Sequence, residues 1–549
     1  MYVRKPSEKS LWLYSYLVVA ALFLILTNVV YLRLYLQTPP GYVYSGVGLE
    51  AAADKFVYFS MIEQGKEGKL FMRNTHTLEP QRGLLFSPQW LAVGMTSRFM
   101  NINTRLAYHL ARIILTVPFL IVMFFFIGKL FTHLHYRVLA ASTLLLPGTG
   151  WLYLLIRPEI ATYTHHWLFN FNKIPIDLYV PEFLTLINFM QSPLFLLSYT
   201  LIALLFYVCI ANLEHPRLGL SYILGGASLF LVLMHPYDGV LLMAITGSWM
   251  VFEIMRTRTL ISLWFVVPIF FGTVLAYLYH ALVFFSEPAL AGWLAQNITV
   301  SPALNTLLLP FGFVGLLALL GVVLLFRAKN RTAAWNMALA WFLTPFLLVY
   351  LPLDINRRFT NTWYLAAGLV AIYAFSRIWD RYGGRRTVQV FFALIGLISV
   401  SGLAFQIDRS LYYKPRPEEV YAYYLDPIIW SGIQFANHTF TSSDRILPNN
   451  PNVGLFVHAY SSGGLFYGHQ HQSINFDLKE EQATWFFNGS DTQTARRRKM
   501  EFLAEQRIDY ILVYKPVGQR GDWLRAEGGV APVFENEALV IYHVTQPAA

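Results

Sequence analysis

The sequence predicts a polytopic α-helical membrane protein that ends in a soluble α/β domain. Of its 549 residues, 56% are hydrophobic and only 13% are charged, whereas a soluble protein carries about 25% charged residues. Nearly charge-free apolar runs recur as far as residue 405, and about 20 such residues are enough to cross a bilayer as a helix. After residue 405 the charged residues become common and the apolar runs shorten. We therefore expect a membrane domain over 1–405 and a second domain over 406–549.

About eleven apolar runs are expected to span the membrane. The first, 11–32, follows a basic N-terminus, is too long for a signal-peptide core and lacks a small-residue cleavage site, so we interpret it as an uncleaved helix. The sixth, 238–253, is short, but omitting it would invert every later loop. The other predicted spans are 108–128, 138–156, 193–213, 218–234, 260–280, 304–326, 333–352, 362–376 and 387–405.

The charges of the loops predict a cytoplasmic N-terminus. With that orientation the inner loops collect Lys and Arg, while the outer loops 235–237 and 281–303 hold neither. Among the short outer loops, only Arg357 and Arg358 depart from this positive-inside pattern. The long loops 33–107 and 157–192 and everything after residue 406 then lie on the outer side.

The C-terminal region reads as a compact α/β domain of ordinary size. We expect helices over 479–487 and 494–506, a buried strand over 508–514 and a hairpin over 533–542.

Several classes of site are disfavoured by composition and motif. The single cysteine, Cys209, excludes a disulfide or a cysteine–histidine metal site within one chain. The net charge of +10 does not indicate a nucleic-acid partner, because most Lys and Arg lie in short loops between apolar runs. No Gly-rich phosphate loop stands at a strand–helix junction. The adjacent His165 and His166 have no partner at helical i, i+4 spacing, so a divalent metal stays possible but has no clear ligand motif, and no cofactor is predicted.

Ionisable residues of the outer loops are the candidate functional residues, because such groups are costly at a membrane interface unless they are solvated or used. Asp54 begins an amphipathic segment, 53–68, whose apolar side can rest on the membrane. We expect Asp54 to act as general base towards an acceptor hydroxyl, with Glu182 as the reserve candidate for the same role.

Arg357 and Arg358 are candidates to bind the leaving phosphate, because a guanidinium can form two parallel hydrogen bonds to it. The other substrate-binding candidates are Tyr58, Glu63, His165, His166, Asp177, His235 and Asp238. The alternative for each residue is simple solvation at the interface; together they could line one cavity suited to sugar transfer from a lipid phosphate.

The layout resembles the GT-C superfamily of polytopic glycosyltransferases, which includes protein O-mannosyltransferase-like and aminoarabinose-transferase-like enzymes. An outward first helix is followed by a long outer loop that contains Asp54, Tyr58 and the glycines Gly65 and Gly68. Short segments are similar to a bacterial branch of predicted membrane glycosyltransferases: Asp54-Lys55-Phe56-Val57-Tyr58, Glu63-Gln64, Tyr108-His109-Leu110-Ala111-Arg112, Pro181-Glu182, Ser192-Pro193, His235-Pro236-Tyr237, Arg357-Arg358-Phe359 and Tyr467-Gly468-His469. The acidic pair frequent in GT-C first loops is absent, since Asp54 stands between Ala53 and Lys55, and metal dependence is therefore not implied.

The resemblance implies an inverting glycosyltransferase in the bacterial cytoplasmic (inner) membrane, with its C-terminal domain outside. It would move a hexose or pentose from a polyprenyl-phosphate donor to a lipid or glycan acceptor on the outer face. A transporter or flippase of a lipid-linked saccharide is the main alternative, although such proteins favour internal repeats and ionisable residues within spans. A non-catalytic assembly scaffold would explain the C-terminal domain but not the outer-loop carboxylates.

Overall fold

A computed structural model describes residues 7–48, 52–146, 148, 177, 180–260, 263–399, 401–412, 423–517 and 522–545. The chain divides into two compact units. The first unit comprises Met1–Leu32, Ala111–Tyr279 and Ile298–Lys414. The second unit comprises Arg33–Leu110, His280–Asn297 and Pro415–Ala549. The domain boundary at residue 406 stays a prediction.

Helices dominate both units. In chain order they are α1 (Glu8–Leu36), α2 (Ala52–Lys66), α3 (Pro88–Phe99), α4 (Thr104–Leu130), α5 (Leu134–Ser142), α6 (Thr185–Gln191), α7 (Pro193–Glu214), α8 (Leu218–Met234), α9 (Tyr237–Thr257), α10 (Leu263–Ser286), α11 (Pro288–Gln296), α12 (Leu304–Leu308), α13 (Gly312–Arg327), α14 (Ala333–Leu348), α15 (Trp363–Tyr382), α16 (Arg386–Ser399), α17 (Ser401–Tyr412), α18 (Pro427–Thr439), α19 (Pro451–Ala459), α20 (Phe476–Asn488) and α21 (Gln493–Glu505). The strands are β1 (Val43–Tyr44), β2 (Phe71–Met72), β3 (Leu85–Phe86), β4 (Tyr424–Leu425), β5 (Arg445–Pro448), β6 (Gly464–Leu465), β7 (Tyr510–Tyr514), β8 (Val530–Glu535) and β9 (Leu539–Val544).

Within the described residues, five helices are long and apolar enough to cross a membrane: α1, α4, α7, α9 and the Val266–Ser286 part of α10. Shorter apolar helices are α8, α13, α14 and the Arg386–Gly396 part of α16. The count of eleven spans stays a prediction.

Two of the predicted spans do not form one continuous α-helix in the described residues. The run 138–156 begins inside α5, which ends at Ser142 and continues as a 3₁₀ turn, Thr143–Leu145; most of the rest lies outside the described residues. The run 304–326 is broken between α12 and α13 by a 3₁₀ turn, Leu309–Phe311, that contains Pro310, because proline cannot donate the backbone hydrogen bond of a continuous helix.

The sixth predicted span is longer than the sequence indicates. Helix α9 runs on to Thr257, past the fully buried Glu253. The carboxylate of Glu253 pairs with the guanidinium of Arg256 at 2.6 Å and accepts a hydrogen bond from the amide of Asn336. Because its charge is paired and hydrogen-bonded, Glu253 does not end the helix.

Three fully buried tryptophans in the interior of the first unit each donate a hydrogen bond from the indole N–H group. Trp249 donates to the carbonyl of Ala333 at 3.1 Å, Trp363 to that of Phe342 at 2.8 Å, and Trp341 to the hydroxyl of Thr362 at 2.6 Å. A large buried ring with its polar edge paired fixes neighbouring helices in one arrangement.

The second unit contains a five-stranded sheet in the order β6-β5-β7-β9-β8. Strand β5 pairs in parallel with β6 and β7, whereas β9 is antiparallel to both β7 and β8. Helices α20 and α21, strand β7 and the β8–β9 hairpin occur where the sequence predicts them.

Helix α2 does not use its apolar side as the sequence analysis expects. Phe56, Phe59 and Ile62 are at most 1% exposed, because protein covers them. The Phe56 ring lies 4.8 Å from Phe456 of α19, and the Phe59 ring lies 5.3 Å from Tyr108 of α4. The interpretation of this side as a surface resting on lipid is therefore wrong.

Helices α2 and α3 approach each other at two glycines. A Cβ on Gly65 would lie 2.6 Å from the carbonyl oxygen of Trp90, and one on Gly94 would lie 2.5 Å from that of Ile62. Both neighbours are backbone atoms, so only glycine permits this spacing. The contact fixes the helix that carries Asp54.

Candidate functional site

Asp54 and His469 form a hydrogen-bonded pair in the second unit. Asp54 lies in the first turn of α2 with its side chain 48% exposed, whereas the side chain of His469 is 4% exposed. The Nδ1 atom of His469 accepts a hydrogen bond from the backbone N–H of His471 at 3.1 Å. The ring proton therefore resides on Nε2, which donates to Oδ1 of Asp54 at 3.0 Å. A solvent-accessible carboxylate in a fixed orientation suits a general base.

Two further histidines, His76 and His458, are buried behind this pair. The His76 ring lies 6.4 Å from that of His469 and 4.8 Å from that of His458. Burial lowers the pKa of His458 to about 4. Burial, reinforced by the two neighbouring histidines, also holds the pKa of His76 well below its usual value. Both rings are therefore neutral at pH 7. No group of three His, Cys, Asp or Glu side chains that could hold a metal ion occurs among the described residues.

Tyr58 and Glu63, the other candidates on α2, make specific contacts within the second unit. The ring of Tyr58 stacks on Trp90 at a centroid distance of 4.7 Å. The carboxylate of Glu63 lies 2.7 Å from the ammonium of Lys66 and accepts a hydrogen bond from the hydroxyl of Thr104. Glu63 also lines a polar pocket further along α2.

In the first unit the structure pairs two candidates with each other. The guanidinium of Arg358 lies 3.3 Å from the carboxylate of Glu182, and the two side chains are 14% and 3% exposed. The same guanidinium lies over the ring of Tyr237 at 4.5 Å. Arg358 therefore already neutralises Glu182, which makes Glu182 a weaker choice than Asp54 for a proton acceptor.

His235 and Asp238 join a second polar cluster in this unit. Nδ1 of His235 lies 2.7 Å from Oδ2 of Asp238, and the hydroxyl of Ser198 donates to the same oxygen. The amide of Asn361 donates to Oδ1 at 2.9 Å. The His235 ring lies 5.5 Å from Tyr237, so this cluster continues into the Arg358–Glu182 pair.

Thr362, next to Asn361, has φ = 65° and a buried side chain. This left-handed conformation is a steric outlier for a β-branched residue and marks local strain. The strain lies where the chain turns from the cluster into α15.

The remaining candidates are Asp177, Arg357, His165 and His166. Asp177 is fully buried beside Gly148, where an added Cβ would meet its Oδ2. Arg357 is partly exposed, and its backbone N–H donates to the carbonyl of Thr299 at 3.1 Å. His165 and His166 lie outside the described residues. The structure thus brings Glu182, His235, Asp238 and Arg358 together in the first unit, while Asp54, Tyr58 and Glu63 belong to the second. That all candidates line one cavity stays a prediction.

Sequence reasoning assigned no role to His469, Ser198, Asn361 or Thr362. The one signal for His469 was the segment Tyr467-Gly468-His469, quoted only for its resemblance. The other three are common polar residues without a spacing pattern, and only the tertiary fold shows their partners.

No known protein-family profile and no curated protein matches the chain. Solved structures do match it. An oligosaccharyltransferase of Archaeoglobus fulgidus tethered to an acceptor peptide aligns over 91% of this chain and 69% of its own, with a TM-score of 0.53 and 10% identity. The same organism's AglB, bound to an inhibitory peptide and a dolichol-phosphate, aligns over the same shares with a TM-score of 0.53 and 12% identity.

A mycobacterial protein gives a similar match. The arabinofuranosyltransferase AftD aligns over 99% of this chain with a TM-score of 0.55 and 13% identity, and the chain spans 42% of that protein. These proteins have the GT-C fold, and the chain shares it. The fold that the sequence resemblance implied is therefore confirmed.

Proposed function

We propose that this chain, which has the GT-C fold, is a membrane glycosyltransferase that moves a sugar from a polyprenyl-phosphate donor to a lipid or glycan acceptor. The observation that carries the proposal is the carboxylate of Asp54, exposed at the start of α2 and held by His469 at 3.0 Å. The similar structures support it, since they are an oligosaccharyltransferase and an arabinofuranosyltransferase, and AglB is seen with a dolichol-phosphate.

The proposed reaction is a single displacement. Asp54 takes the proton of the acceptor hydroxyl while the hydroxyl oxygen bonds to the anomeric carbon of the sugar. The bond between that carbon and the phosphate oxygen breaks, and the bonding electrons leave with the polyprenyl phosphate. Attack opposite to the leaving group inverts the anomeric carbon. His469 contributes by orienting the carboxylate.

Arg357 and Arg358 are proposed to hold the donor phosphate. A guanidinium has five N–H donors, so Arg358 can bond to a phosphate while one of its nitrogens stays on Glu182. The neighbouring His235 and Asp238 are proposed to contact the sugar, and Glu182 stays the reserve base. No metal ligand is assigned.

Transfer is proposed to occur on the outer face of the bacterial inner membrane, because the distribution of Lys and Arg predicts that the long loops and the C-terminal domain lie on that side. An alkaline phosphatase reporter fused after residue 549 should then be active in the periplasm; cytoplasmic activity would reject this orientation.

A donor-turnover experiment tests the proposed function and separates it from flipping. The purified protein in detergent micelles is incubated with hexose- and pentose-linked polyprenyl phosphates and an extract of membrane lipids and glycans. A transferase releases free polyprenyl phosphate, which mass spectrometry detects, and forms a glycosylated acceptor. A flippase has no bilayer to act across in micelles and leaves the donors intact. Intact donors in every mixture would contradict the proposal.

A further inference from the structure

We propose that the second unit carries a separate pocket for an acidic saccharide, with Arg73 and Arg82 binding its anionic group. The inference rests on the proposed function, because the saccharide would be a part of the acceptor remote from the reacting hydroxyl. The pocket has a volume of about 300 Å³ and is lined by residues of the second unit alone. This volume lies at the lower end of the range for small-molecule sites, about 300–1,000 Å³.

The charges of the pocket favour an anion. Its two carboxylates are already paired: Glu63 lies 2.7 Å from Lys66, and Glu67 lies 2.6 Å from Lys69. Arg73 and Arg82 line the same pocket. Within the described part of the chain, neither guanidinium has a hydrogen bond or an ion pair. Two uncompensated guanidinium groups facing one small cavity suit a carboxylate or a phosphate, which they bind with parallel hydrogen bonds.

The rest of the lining favours a sugar over a bare anion. His458 lines the pocket and is 1% exposed. Its Nε2 bonds to the hydroxyl of Thr75 at 2.7 Å, whereas its Nδ1 has no partner among the described residues. Since the pKa of His458 is lowered to about 4, the ring is neutral at pH 7 and adds no positive charge to the pocket.

Two further groups in the pocket suit a carbohydrate ring. The hydroxyl of Ser442 is exposed in the wall, and Phe71, 46% exposed, provides an aromatic surface for the apolar C–H face of a sugar. The combination of two uncompensated guanidinium groups, a neutral histidine, a hydroxyl and one aromatic ring matches an acidic monosaccharide unit.

The pocket is distinct from the proposed catalytic carboxylate. Asp54 lies in the first turn of α2, whereas Glu63 is nine positions further on, about 13 Å along the helix at 1.5 Å per residue. The buried ring of His76 neighbours both the ring of His458, at 4.8 Å, and the ring of His469, at 6.4 Å. A ligand in the pocket therefore occupies a different subsite from the hydroxyl that Asp54 would deprotonate.

Equilibrium binding to the full-length protein in lipid nanodiscs tests the inference without donor or turnover. The probes are glucuronic acid and glucose 6-phosphate, with glucose and inorganic phosphate as controls, and calorimetry is the readout. Both acidic sugars should bind about tenfold more tightly than glucose or inorganic phosphate. Comparing the two acidic sugars distinguishes a carboxylate from a phosphate as the preferred group. Arg73→Gln and Arg82→Gln should each weaken the binding of the preferred sugar about threefold to tenfold.

The matched control is Arg497→Gln, because Arg497 is 83% exposed and pairs only with Glu501 in the described residues. It should leave binding unchanged. Failure of both acidic sugars to bind, equal binding of glucose, or unchanged binding in the Arg73 and Arg82 variants would overturn the inference. Inorganic phosphate binding as tightly as glucose 6-phosphate would overturn its saccharide part. A protein that transfers sugar but does not bind these probes contradicts this inference alone; one that binds them but transfers nothing contradicts the proposed function alone.

Discussion

His469 is the residue that orients the carboxylate of Asp54 at the start of α2. With Nδ1 occupied by the backbone of His471, the imidazole can only donate to Asp54 through Nε2. A neutral donor orients the carboxylate without adding a full positive charge beside it. We therefore regard His469 as a positioning residue whose loss affects turnover more than donor binding.

Replacing His469 tests this role. His469→Gln keeps an N–H donor near the position of Nε2 and should retain most of the activity, whereas His469→Ala should lower kcat about 10- to 100-fold at constant donor KM, because misplacing a catalytic group by about 1 Å can cost 10²-fold. The exposed His438 offers a control, His438→Ala, which should match the wild type. Equal loss in the Gln and Ala variants would argue for a purely structural role.

Arg358 needs a different kind of variant, because it compensates a buried carboxylate. Arg358→Ala leaves Glu182, only 3% exposed, without its cationic partner, and breaking a buried pair in this way costs about 3–5 kcal/mol. The double variant Glu182→Gln/Arg358→Gln removes both charges and should recover much of the lost thermal stability. Donor affinity is then measured in the double variant. If Arg358→Ala alone leaves the melting temperature unchanged, the ion pair between Glu182 and Arg358 does not stabilise the fold.

At the scale of elements, the glycine contact between α2 and α3 sets the position of Asp54. Gly94→Ala places a methyl group 2.5 Å from the carbonyl oxygen of Ile62, so the helices must separate. We expect a loss of about 1–3 kcal/mol in the free energy of unfolding, as for other overpacked contacts, together with slower turnover.

The control is Gly226→Ala. Gly226 lies within α8 with nothing within 4 Å of an added Cβ, and alanine is the better helix former. This variant should be as stable as the wild type or slightly more stable. An unaltered stability of Gly94→Ala would show that α2 and α3 can adjust their spacing.

The helices and strands also show which features of the fold could be predicted from the sequence. Apolar periodicity located α20, α21 and the β8–β9 hairpin, because local pattern determines such elements. The apolar face of α2 was equally visible, but its partner was not: Phe456 lies about 400 positions from Phe56 along the chain. Charge placement on outer loops selected Asp54, Glu182, Asp238 and Arg358 as candidates, whereas their hydrogen-bond partners depend on tertiary contacts that no single-chain pattern encodes.

At the scale of the whole molecule, the GT-C fold extends over nearly all of the chain, with alignments over 91–99% of it. The two units hold different parts of the proposed chemistry. The second unit carries the base, its positioning histidine and the proposed saccharide pocket. The first unit carries the arginines proposed for the donor phosphate and the cluster of His235, Asp238, Ser198 and Asn361.

The central claim is that Asp54 is the general base of a glycosyl transfer. The most direct measurement compares the initial transfer rates of the purified wild type, Asp54→Asn and Asp477→Asn. Asp477 is a matched control, since it too lies in the first turn of a helix of the second unit, α20, and it is exposed. Asp54→Asn should lower the rate about 10²–10⁴-fold with donor affinity and melting temperature unchanged, and Asp477→Asn should transfer like the wild type. Transfer by Asp54→Asn at the wild-type rate would contradict the claim.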